Sequence, residues 1–581
     1  MSWKPSEFHV AINMAGAISA GAYTAGVLDF LMEALEEWQK EKEAFHEQLA
    51  NLQPGGSITN VVPLHDIQID AFTGASAGGM CAAIAAVMVQ GDFAHIKSGD
   101  ETGTNNTFYE GWVNQIDIRE FLKATDLADG SPLVSLLDCT VIDKIAEAAL
   151  VLGTPNAKPY ITPNLTLLMT MTNVRGVSYP LYDDASMSVD EYTAYYGDKL
   201  RFEIVPSVAA PVADGAKPLP LDSGADGAWP LLKDAAKATG AFPLFLAPRK
   251  LTRDLSDYRG PVWQSLCTPT VSSPIKVDLP APPPATWTTL NVDGGLTDND
   301  PFELAHDFLA QNNPSPDKPS PCQNPTDSLT ANCCVLSIAP FPAIEKYDAN
   351  YFTPAPGKSD PTNLLTMVGR LITVLLSQSR FFGESLPALT SGVSFSRFVI
   401  APSDPDHADS SALQSGTLGA FGGFLDRRFR KHDYLLGRRN CQRFLDTEFL
   451  LPFDNKVIAT GLSEAGPFSG SVKSLFKRKA PNPKAMPQNE QWLPIIPLCG
   501  SAKIVVDEPI REQMTDDDLD RIADLAIDRI KSIKGQLLAN APGLLKFLAG
   551  CATAWPFSGQ LKGALKEQLR KGLGPNITED S

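Results

Sequence analysis

The chain has 581 residues, of which 43% are hydrophobic and 20% are charged. This composition is that of a folded globular protein and excludes collagen-like, coiled-coil and wholly disordered architectures. Acidic residues number 67 against 49 Lys and Arg, and the resulting net charge of -18 repels phosphate backbones, so we expect no nucleic-acid partner.

The spacing of the cysteines indicates whether the chain binds a metal, and its apolar stretches indicate whether it enters a membrane. The 9 cysteines form neither a CxxC pair nor a Cys/His cluster at zinc spacing, so we interpret them as reduced thiols and expect no metal or other cofactor. The apolar stretch Val10 to Leu31 contains Asn13 and Asp29 and lacks a basic leading region, which indicates part of the fold rather than a signal peptide or a membrane span. We therefore expect a cytoplasmic protein and leave peripheral membrane contact open.

The chain begins with a predicted strand that leads into a helix. From Phe8 to Met14 apolar residues alternate with other types, which is the period of a strand. A run of small residues at 16–26 follows, and from Tyr23 to Trp38 apolar residues recur at the spacing of an amphipathic helix. The same order recurs at Ile67 to Phe72, the loop TGASAGG and the apolar helix Met80 to Val89. Alternating strands and helices predict an α/β fold with a mostly parallel central sheet.

The remainder of the chain divides into an insertion, later strands and an extension. Residues 91–163 read as a helical insertion over the sheet, and we place the catalytic domain at 1–345 and a mainly helical C-terminal extension at 346–581. Apolar runs predict later strands at Leu165 to Val174, at Trp287 to Val292 and at Cys334 to Ile338, the last of which is expected to end the catalytic sheet. Patterns in the extension predict a buried helix at Leu364 to Leu376, a strand at Arg397 to Ala401 and a helix capped by Thr515.

The most informative local motif is Gly74-Ala75-Ser76-Ala77-Gly78, which follows a predicted strand and precedes a helix. This is the pattern of a nucleophile elbow, in which a strained turn exposes a serine hydroxyl and small neighbours let strand and helix approach each other. The helix N-terminus behind Ser76 adds a positive dipole and free N–H groups for a developing oxyanion. Ser76 is therefore the candidate nucleophile, and Gly74 and Gly78 are its motif residues.

A serine nucleophile needs a base, and two residue types compete for that role. Asp293 ends an apolar strand, and Gly294 and Gly295 after it allow a sharp turn; such a carboxylate acts as a general base if burial raises its pKa. The usual partner of serine is histidine, of which the chain has 7. None lies in a clear strand-end pattern, and His432 and His306 remain as alternatives.

Four segments, in chain order, give the chain a resemblance to the patatin-like phospholipases. They are the loop MAGAISAGAYTAGVL, the elbow GASAG, the segment ATGAFPLF with Pro248, and DGGLTDNDPFELA starting at Asp293. The resemblance covers roughly residues 6–345 and implies a three-layer α/β/α fold. It also implies a dyad of Ser76 and Asp293 that hydrolyses carboxylic esters of lipids through an acyl-enzyme, without a histidine or a cofactor.

The same resemblance implies an oxyanion hole, and at one position of its loop this chain differs from the family. An ungapped match puts Gly16, Ala17 and Ile18 on the family's glycine-rich loop, whose N–H groups bind the oxyanion, and puts Ala20 where the family carries an arginine. One lost oxyanion donor costs about 100- to 1,000-fold in rate. Three functions therefore stay open: a lipid acyl hydrolase, a soluble esterase or thioesterase with a histidine base, and a catalytically impaired lipid-binding or scaffold relative.

Three further segments resemble a bacterial subgroup with a long C-terminal extension; they are FYEGWVNQIDIREFL, MTNVRGV and GGFLDRRFRKHDYLLGRRNCQRFL. The last contains a basic cluster from Arg427 to Arg439, which we expect to pair with acidic residues elsewhere in the fold. A second basic stretch, LKGALKEQLRKGL, suits either a membrane surface or a terminal helix docked on the core, and we favour the docked helix.

Overall fold

The computed structural model describes residues 3–53, 58, 60–97, 105–180, 192–259, 284–341, 394–407, 409–481, 491–540 and 558–578. The strands among them are β1 (Glu7–Met14), β2 (Asp66–Gly74), β3 (Ile161–Pro180), β4 (Tyr192–Val205), β5 (Ala216–Pro220), β6 (Arg249–Asp254), β7 (Thr286–Asp293), β8 (Cys333–Ile338), β9 (Arg397–Ile400), β10 (Leu450–Pro452) and β11 (Trp492–Pro494). The first nine form one sheet in the order β5-β4-β3-β2-β1-β8-β9, with β7 paired to β3 and β6 paired to β7.

The centre of this sheet is parallel. β1 pairs in parallel with β2 and β8, β2 with β3, and β8 with β9. β4 and β7 run antiparallel to β3. Parallel strands present their carboxyl ends at one edge, so the turns that follow β1, β2 and β8 lie together there.

Helices connect and cover the strands. The longer ones are α1 (Gly21–Ala50), α2 (Ser76–Met88), α3 (Thr140–Ala149), α4 (Trp229–Thr239), α5 (Phe302–Asn312), α6 (Arg427–Thr447), α7 (Lys456–Glu464), α8 (Ser469–Phe476), α9 (Asp516–Asn540) and α10 (Ser558–Leu573). Short helical turns at Thr107–Tyr109, Glu110–Gln115, Ile118–Phe121 and Thr125–Gly130 occupy the predicted insertion together with α3.

Both faces of the sheet are buried under helices. On β1, Phe8 and Ile12 point into the larger core, which includes the apolar faces of α1 and α2. Ala11 points to the opposite side, into a smaller core with Ala305 and Leu309 of α5. Burial on both faces is typical of parallel sheets, whose crossover helices lie above and below the strands. The expected α/β fold, a mostly parallel central sheet flanked by helices, is confirmed.

The C-terminal half contributes a strand to the sheet. The predicted strand at Arg397 to Ala401 is present as β9, and it pairs in parallel with β8. The expectation that Cys334 to Ile338 ends the sheet is therefore wrong, because β9 lies beyond it. A local pattern predicts a strand but does not reveal which distant strand pairs with it.

Helix α6 is held to α1 by buried charges. Arg438 of α6 forms ion pairs with Asp29 and Glu33 of α1, and all three side chains are buried. Arg428, at the other end of the basic cluster, pairs with Asp518 at 3.0 Å. Buried charges require partners of this kind. These contacts agree with the expectation that the basic cluster pairs with acidic residues elsewhere in the fold.

Two helices complete the C-terminal region. Thr515 Oγ1 accepts a hydrogen bond from the Asp518 N–H at 3.2 Å, which is the predicted cap of α9. Lys562 and Lys566 of α10 form ion pairs with aspartates of α9, so α10 is docked on the protein through its basic side chains. The predicted helix at Leu364 to Leu376 lies outside the described residues. Among the helices that the structure describes, none combines the length and the apolarity needed to cross a membrane.

Candidate active site

Ser76 occupies a strained turn between β2 and α2. Ala75 is extended, and Ser76 opens α2 with φ +52°, in the left-handed region that residues other than glycine rarely adopt. The Ser76 N–H donates a hydrogen bond of 2.9 Å to Thr239 Oγ1 at the end of α4. A strained serine between a strand and a helix is the geometry of a nucleophile elbow.

The motif glycines permit close approaches of backbone to backbone. A Cβ at Gly78 would lie 2.1 Å from the carbonyl oxygen of Met14, at the end of β1. A Cβ at Gly294 would lie 2.3 Å from the carbonyl oxygen of Thr170 on β3. Gly74 packs equally closely on Gly78. No side chain fits at these distances, so these glycines let the elbow and the Asp293 turn pack against the sheet.

Asp293 ends β7 and is brought to Ser76 across 217 positions of the sequence. Ser76 Oγ donates a hydrogen bond of 2.7 Å to Asp293 Oδ2, and the Gly295 N–H donates one of 2.7 Å to Oδ1. The Thr172 hydroxyl on β3 donates to the Asp293 carbonyl oxygen at 2.8 Å. The carboxyl group is therefore fixed at both oxygens and along its backbone.

Burial changes the acidity of this carboxyl group. Asp293 is 2% exposed, and desolvation raises its pKa from 3.8 to about 7. The hydrogen bonds from Ser76 and Gly295 act in the opposite direction, because they stabilise the ionised form. A carboxyl group with a pKa near neutrality accepts a proton more readily than an exposed aspartate does, as general-base catalysis requires.

The loop after β1 lies beside Ser76, but the N–H group of Gly16 in this loop is not available to bind an oxyanion. The Gly16 N–H donates a hydrogen bond of 2.9 Å to the carbonyl oxygen of Asn299, so the expected oxyanion donor is engaged in holding two loops together. Among the described residues, no hydrogen-bond acceptor is found for the N–H groups of Ala17 and Ile18. Ala20, at the position of the missing arginine, is fully buried and contributes no charge.

A small apolar cavity of about 30 Å³ borders Ser76 and Asp293. The insertion and the C-terminal half supply much of its wall; the aromatic lining residues are Trp112, Phe121, Phe242, Phe421 and Phe424. Its exposed lining surface is almost entirely apolar, so Ser76 and Asp293 face a space suited to a hydrocarbon group.

The two candidate histidine bases lie elsewhere. His432 Nδ1 is 2.8 Å from Asp433 within α6, and His306 Nδ1 is 3.2 Å from Asp307 within α5. Among the described residues, no histidine lines the cavity at Ser76. The same part of the chain contains no group of three His, Cys, Asp or Glu side chains placed to hold a metal ion.

Sequence reasoning missed three residues that shape this site. Thr239 holds the Ser76 turn, Asn299 binds the Gly16 loop, and Phe421 lines the cavity. Thr239 and Asn299 lie inside the segments that carry the family resemblance, so their positions were visible although their contacts were not. The signal at Phe421 is its setting among glycines in residues 416–423, which indicates a turn rather than a helix.

Comparison with known proteins agrees with this geometry. The family described as patatin-like phospholipase matches residues 13–306, which include the loop after β1, the elbow and the Asp293 turn. An uncharacterized protein, y4iI of Sinorhizobium fredii, is 31% identical over 546 residues, which span 86% of this chain and 71% of that protein. The crystal structure of VipD from Legionella pneumophila aligns with 97% of this chain and 90% of its own at 11% identity and a TM-score of 0.22, a similarity too low to support an argument.

The family match covers half of the chain and coincides with the observed elbow and the turn of Asp293. The chain therefore belongs to the patatin-like phospholipase family.

Proposed function

We propose that this protein is a serine acyl hydrolase that cleaves carboxylic ester bonds of lipids with Ser76 as nucleophile and Asp293 as base. The observation that carries the proposal is the 2.7 Å hydrogen bond from Ser76 Oγ to Asp293 Oδ2 at the wall of an apolar cavity. Membership of the family supports a lipid or ester substrate.

The reaction begins with proton transfer. As Ser76 Oγ attacks the ester carbonyl carbon, Asp293 accepts the hydroxyl proton, and the carbonyl oxygen becomes an oxyanion. When the tetrahedral intermediate collapses, the bond to the alcohol oxygen breaks and Asp293 returns the proton to that oxygen. The products of this half are the free alcohol and an acyl group esterified to Ser76.

The second half repeats the sequence with water. Asp293 takes a proton from a water molecule, which attacks the acyl carbon, and the proton then passes to Ser76 Oγ as the carboxylic acid leaves. The N–H groups of Ala17 and Ile18, together with the positive end of α2, are the donors that we assign to the oxyanion in both halves. Gly16 is assigned to holding the loop, since its N–H binds Asn299.

The proposal is tested by labelling the purified protein with a fluorophosphonate, which reacts with activated serines. We expect labelling of the wild type, none of Ser76→Ala, and a rate lower by about 100-fold or more in Asp293→Asn. Asp298→Asn is the matched control, because burial raises the pKa of the Asp298 carboxyl to about 7 as well, yet the Ser76 hydroxyl bonds to Asp293 instead. Unlabelled wild-type enzyme is then assayed for fatty acid release from phospholipid and from neutral acylglycerol, and prior labelling should abolish this release.

Each alternative function predicts a different result. Labelling that survives Asp293→Asn and falls in His432→Ala or His306→Ala would favour an esterase with a histidine base. Absence of labelling in a wild type that unfolds cooperatively would overturn the enzymatic proposal and favour a lipid-binding or scaffold protein.

A further inference from the structure

The cavity at Ser76 is too small for the substrate that the proposed function requires. Its volume is about 30 Å³. Ligand pockets usually measure about 300 to 1,000 Å³. An acyl chain of a membrane lipid therefore enters only if part of the wall moves.

One partly buried residue of the wall is Phe421, from a segment outside the family match. Its ring packs against Phe242 at 5.5 Å, Phe245 at 5.3 Å and Phe424 at 5.8 Å between ring centroids. Phe424 is buried, whereas Phe421 is only partly buried. Phe421 therefore lines the cavity and is also partly exposed to solvent.

The backbone that carries Phe421 is strained. Leu418, Gly419 and Ala420 are consecutive residues with positive φ, at 53°, 64° and 74°. A left-handed conformation costs roughly 1 to 2 kcal/mol for a residue with a side chain, and two of the three residues bear one. Strain of this kind persists only while surrounding contacts hold it, so this segment is disposed to change conformation once those contacts loosen.

Two sets of contacts hold the segment in place. On one side, Ser19 Oγ donates to the Ala420 carbonyl oxygen and accepts a 3.0 Å hydrogen bond from the Gly423 N–H, which joins the segment to the loop that precedes α1. On the other side, Leu418 packs against a small apolar core that includes Leu519 of α9 and Leu573 of α10. The C-terminal helices therefore secure the segment over the active site.

We propose that Phe421 is the acyl gate of this enzyme and determines which ester substrates reach Ser76. With the gate closed only short acyl groups fit, and long chains are admitted when residues 418–421 swing away from the Phe242 and Phe245 rings. This inference rests on the proposed function, since it concerns the selection of substrates by that same site.

The first test compares p-nitrophenyl acetate with p-nitrophenyl laurate. Phe421→Ala removes the gate, and we expect the ratio of kcat/KM for laurate to that for acetate to rise by about tenfold or more, because opening no longer limits the competent fraction. Phe468→Ala is the matched control: Phe468 is also partly buried and packs on the ring of Phe45, near the far end of α1. A ratio unchanged in Phe421→Ala would overturn the gate.

The second test locks the gate with a disulfide. A Cβ at Gly572 would lie 4.0 Å from Leu418 Cβ, within the Cβ separation of about 3.5 to 4.5 Å that a disulfide spans. In the oxidised Leu418→Cys/Gly572→Cys double variant we expect laurate hydrolysis to fall by about tenfold or more while acetate hydrolysis continues, and reduction to restore the wild-type ratio. The Leu418→Cys single variant and the wild type, oxidised in the same way, control for the native cysteines. Equal laurate turnover in the oxidised and reduced forms would overturn the gate.

Binding without turnover separates the two proposals. In a Ser76→Ala background, a fluorescent long-chain fatty acid is titrated into Phe421→Ala and Phe468→Ala. Tighter binding to the Phe421→Ala protein by about tenfold supports the gate even if no ester is hydrolysed, in which case only the proposed function fails. Equal binding by both proteins contradicts the gate whether or not the enzyme hydrolyses esters.

Discussion

Asn13 Nδ2 donates a hydrogen bond of 2.6 Å to Asp300 Oδ1, although 287 positions separate the two residues in the chain. Asn13 is fully buried near the end of β1, and Asp300 follows the turn that carries Asp293. The same amide side chain donates to Ser337 Oγ on β8 at 3.2 Å and accepts from Thr73 Oγ1 on β2 at 2.9 Å. One side chain thus connects the carboxyl ends of three strands to the turn of the proposed base.

Asn13→Ala is expected to destabilise the fold because it removes these three buried hydrogen bonds. We expect a loss of about 2 to 4 kcal/mol in the free energy of unfolding, measured by denaturant titration, and slower fluorophosphonate labelling of the remaining folded protein. Asn312→Ala, at an exposed position with one bond to the Phe308 carbonyl oxygen, should change stability by no more than about 0.5 kcal/mol. Similar losses in the two variants would contradict the role given to Asn13.

The pH dependence of both activity and stability should report the titration of the Asp293 carboxyl group. Because only the ionised carboxylate accepts a proton, kcat/KM should rise with pH through an apparent pKa of about 7. Burial raises the folded-state pKa above 3.8, so between about pH 4 and pH 7 the folded protein binds a proton that the unfolded chain has lost. This contribution to stability is therefore fully present below pH 3.8 and is lost as the pH rises to about 7.

Asp293→Asn does not titrate, which gives the control for this prediction. Its melting temperature relative to the wild type should increase between about pH 5 and about pH 8 and then level off. A difference that stays constant over this range would mean that Asp293 titrates at its ordinary pKa.

Ser76→Gly should be more stable than Ser76→Ala, and neither should be labelled. The φ of +52° at this position is strained for any residue with a Cβ, whereas glycine adopts it freely. We expect a difference of about 1 kcal/mol in the free energy of unfolding between the two variants. Equal stabilities would indicate that the turn is not strained.

Gly78→Ala tests the packing of the elbow against β1. Its Cβ would meet the Met14 carbonyl oxygen at 2.1 Å, so we expect a loss of several kcal/mol or failure to fold, and no labelling of Ser76. A Cβ at Gly563 in α10 would have no atom of the described residues within 4 Å, so Gly563→Ala should stabilise the protein by about 0.5 to 1 kcal/mol, since alanine favours helix more than glycine does. A Gly78→Ala protein as stable as the wild type would exclude this close packing.

Arg438→Met should weaken the contact between α1 and α6. It leaves Glu33 buried without its cation and leaves Asp29 paired with His95 at 2.8 Å, and breaking a buried pair from one side costs about 3 to 5 kcal/mol. Arg439→Met is the adjacent control; its half-buried side chain lies 3.5 Å from Glu508, and the loss should stay below about 1 kcal/mol. Thermal unfolding of the two variants under the same conditions measures the difference.

The sequence by itself determined the family and the α/β fold and indicated the two residues of the proposed dyad, because these depend on local signals. The small residues around Ser76 and the glycines after Asp293 are imposed by turns next to strands, and such turns leave a pattern within a few positions of the chain. The cap at Thr515 is local in the same way.

Only the tertiary structure decided which distant groups meet at that site. Three findings depend on contacts between remote parts of the chain: Gly16 donates its N–H to Asn299, β9 extends the sheet beyond Ile338, and Phe421 lines the cavity at Ser76. Such contacts arise from packing and from the pairing of buried polar groups, which many sequences satisfy with different residues. Local sequence patterns therefore indicate the residues of the proposed dyad, whereas the tertiary structure decides how a substrate reaches them.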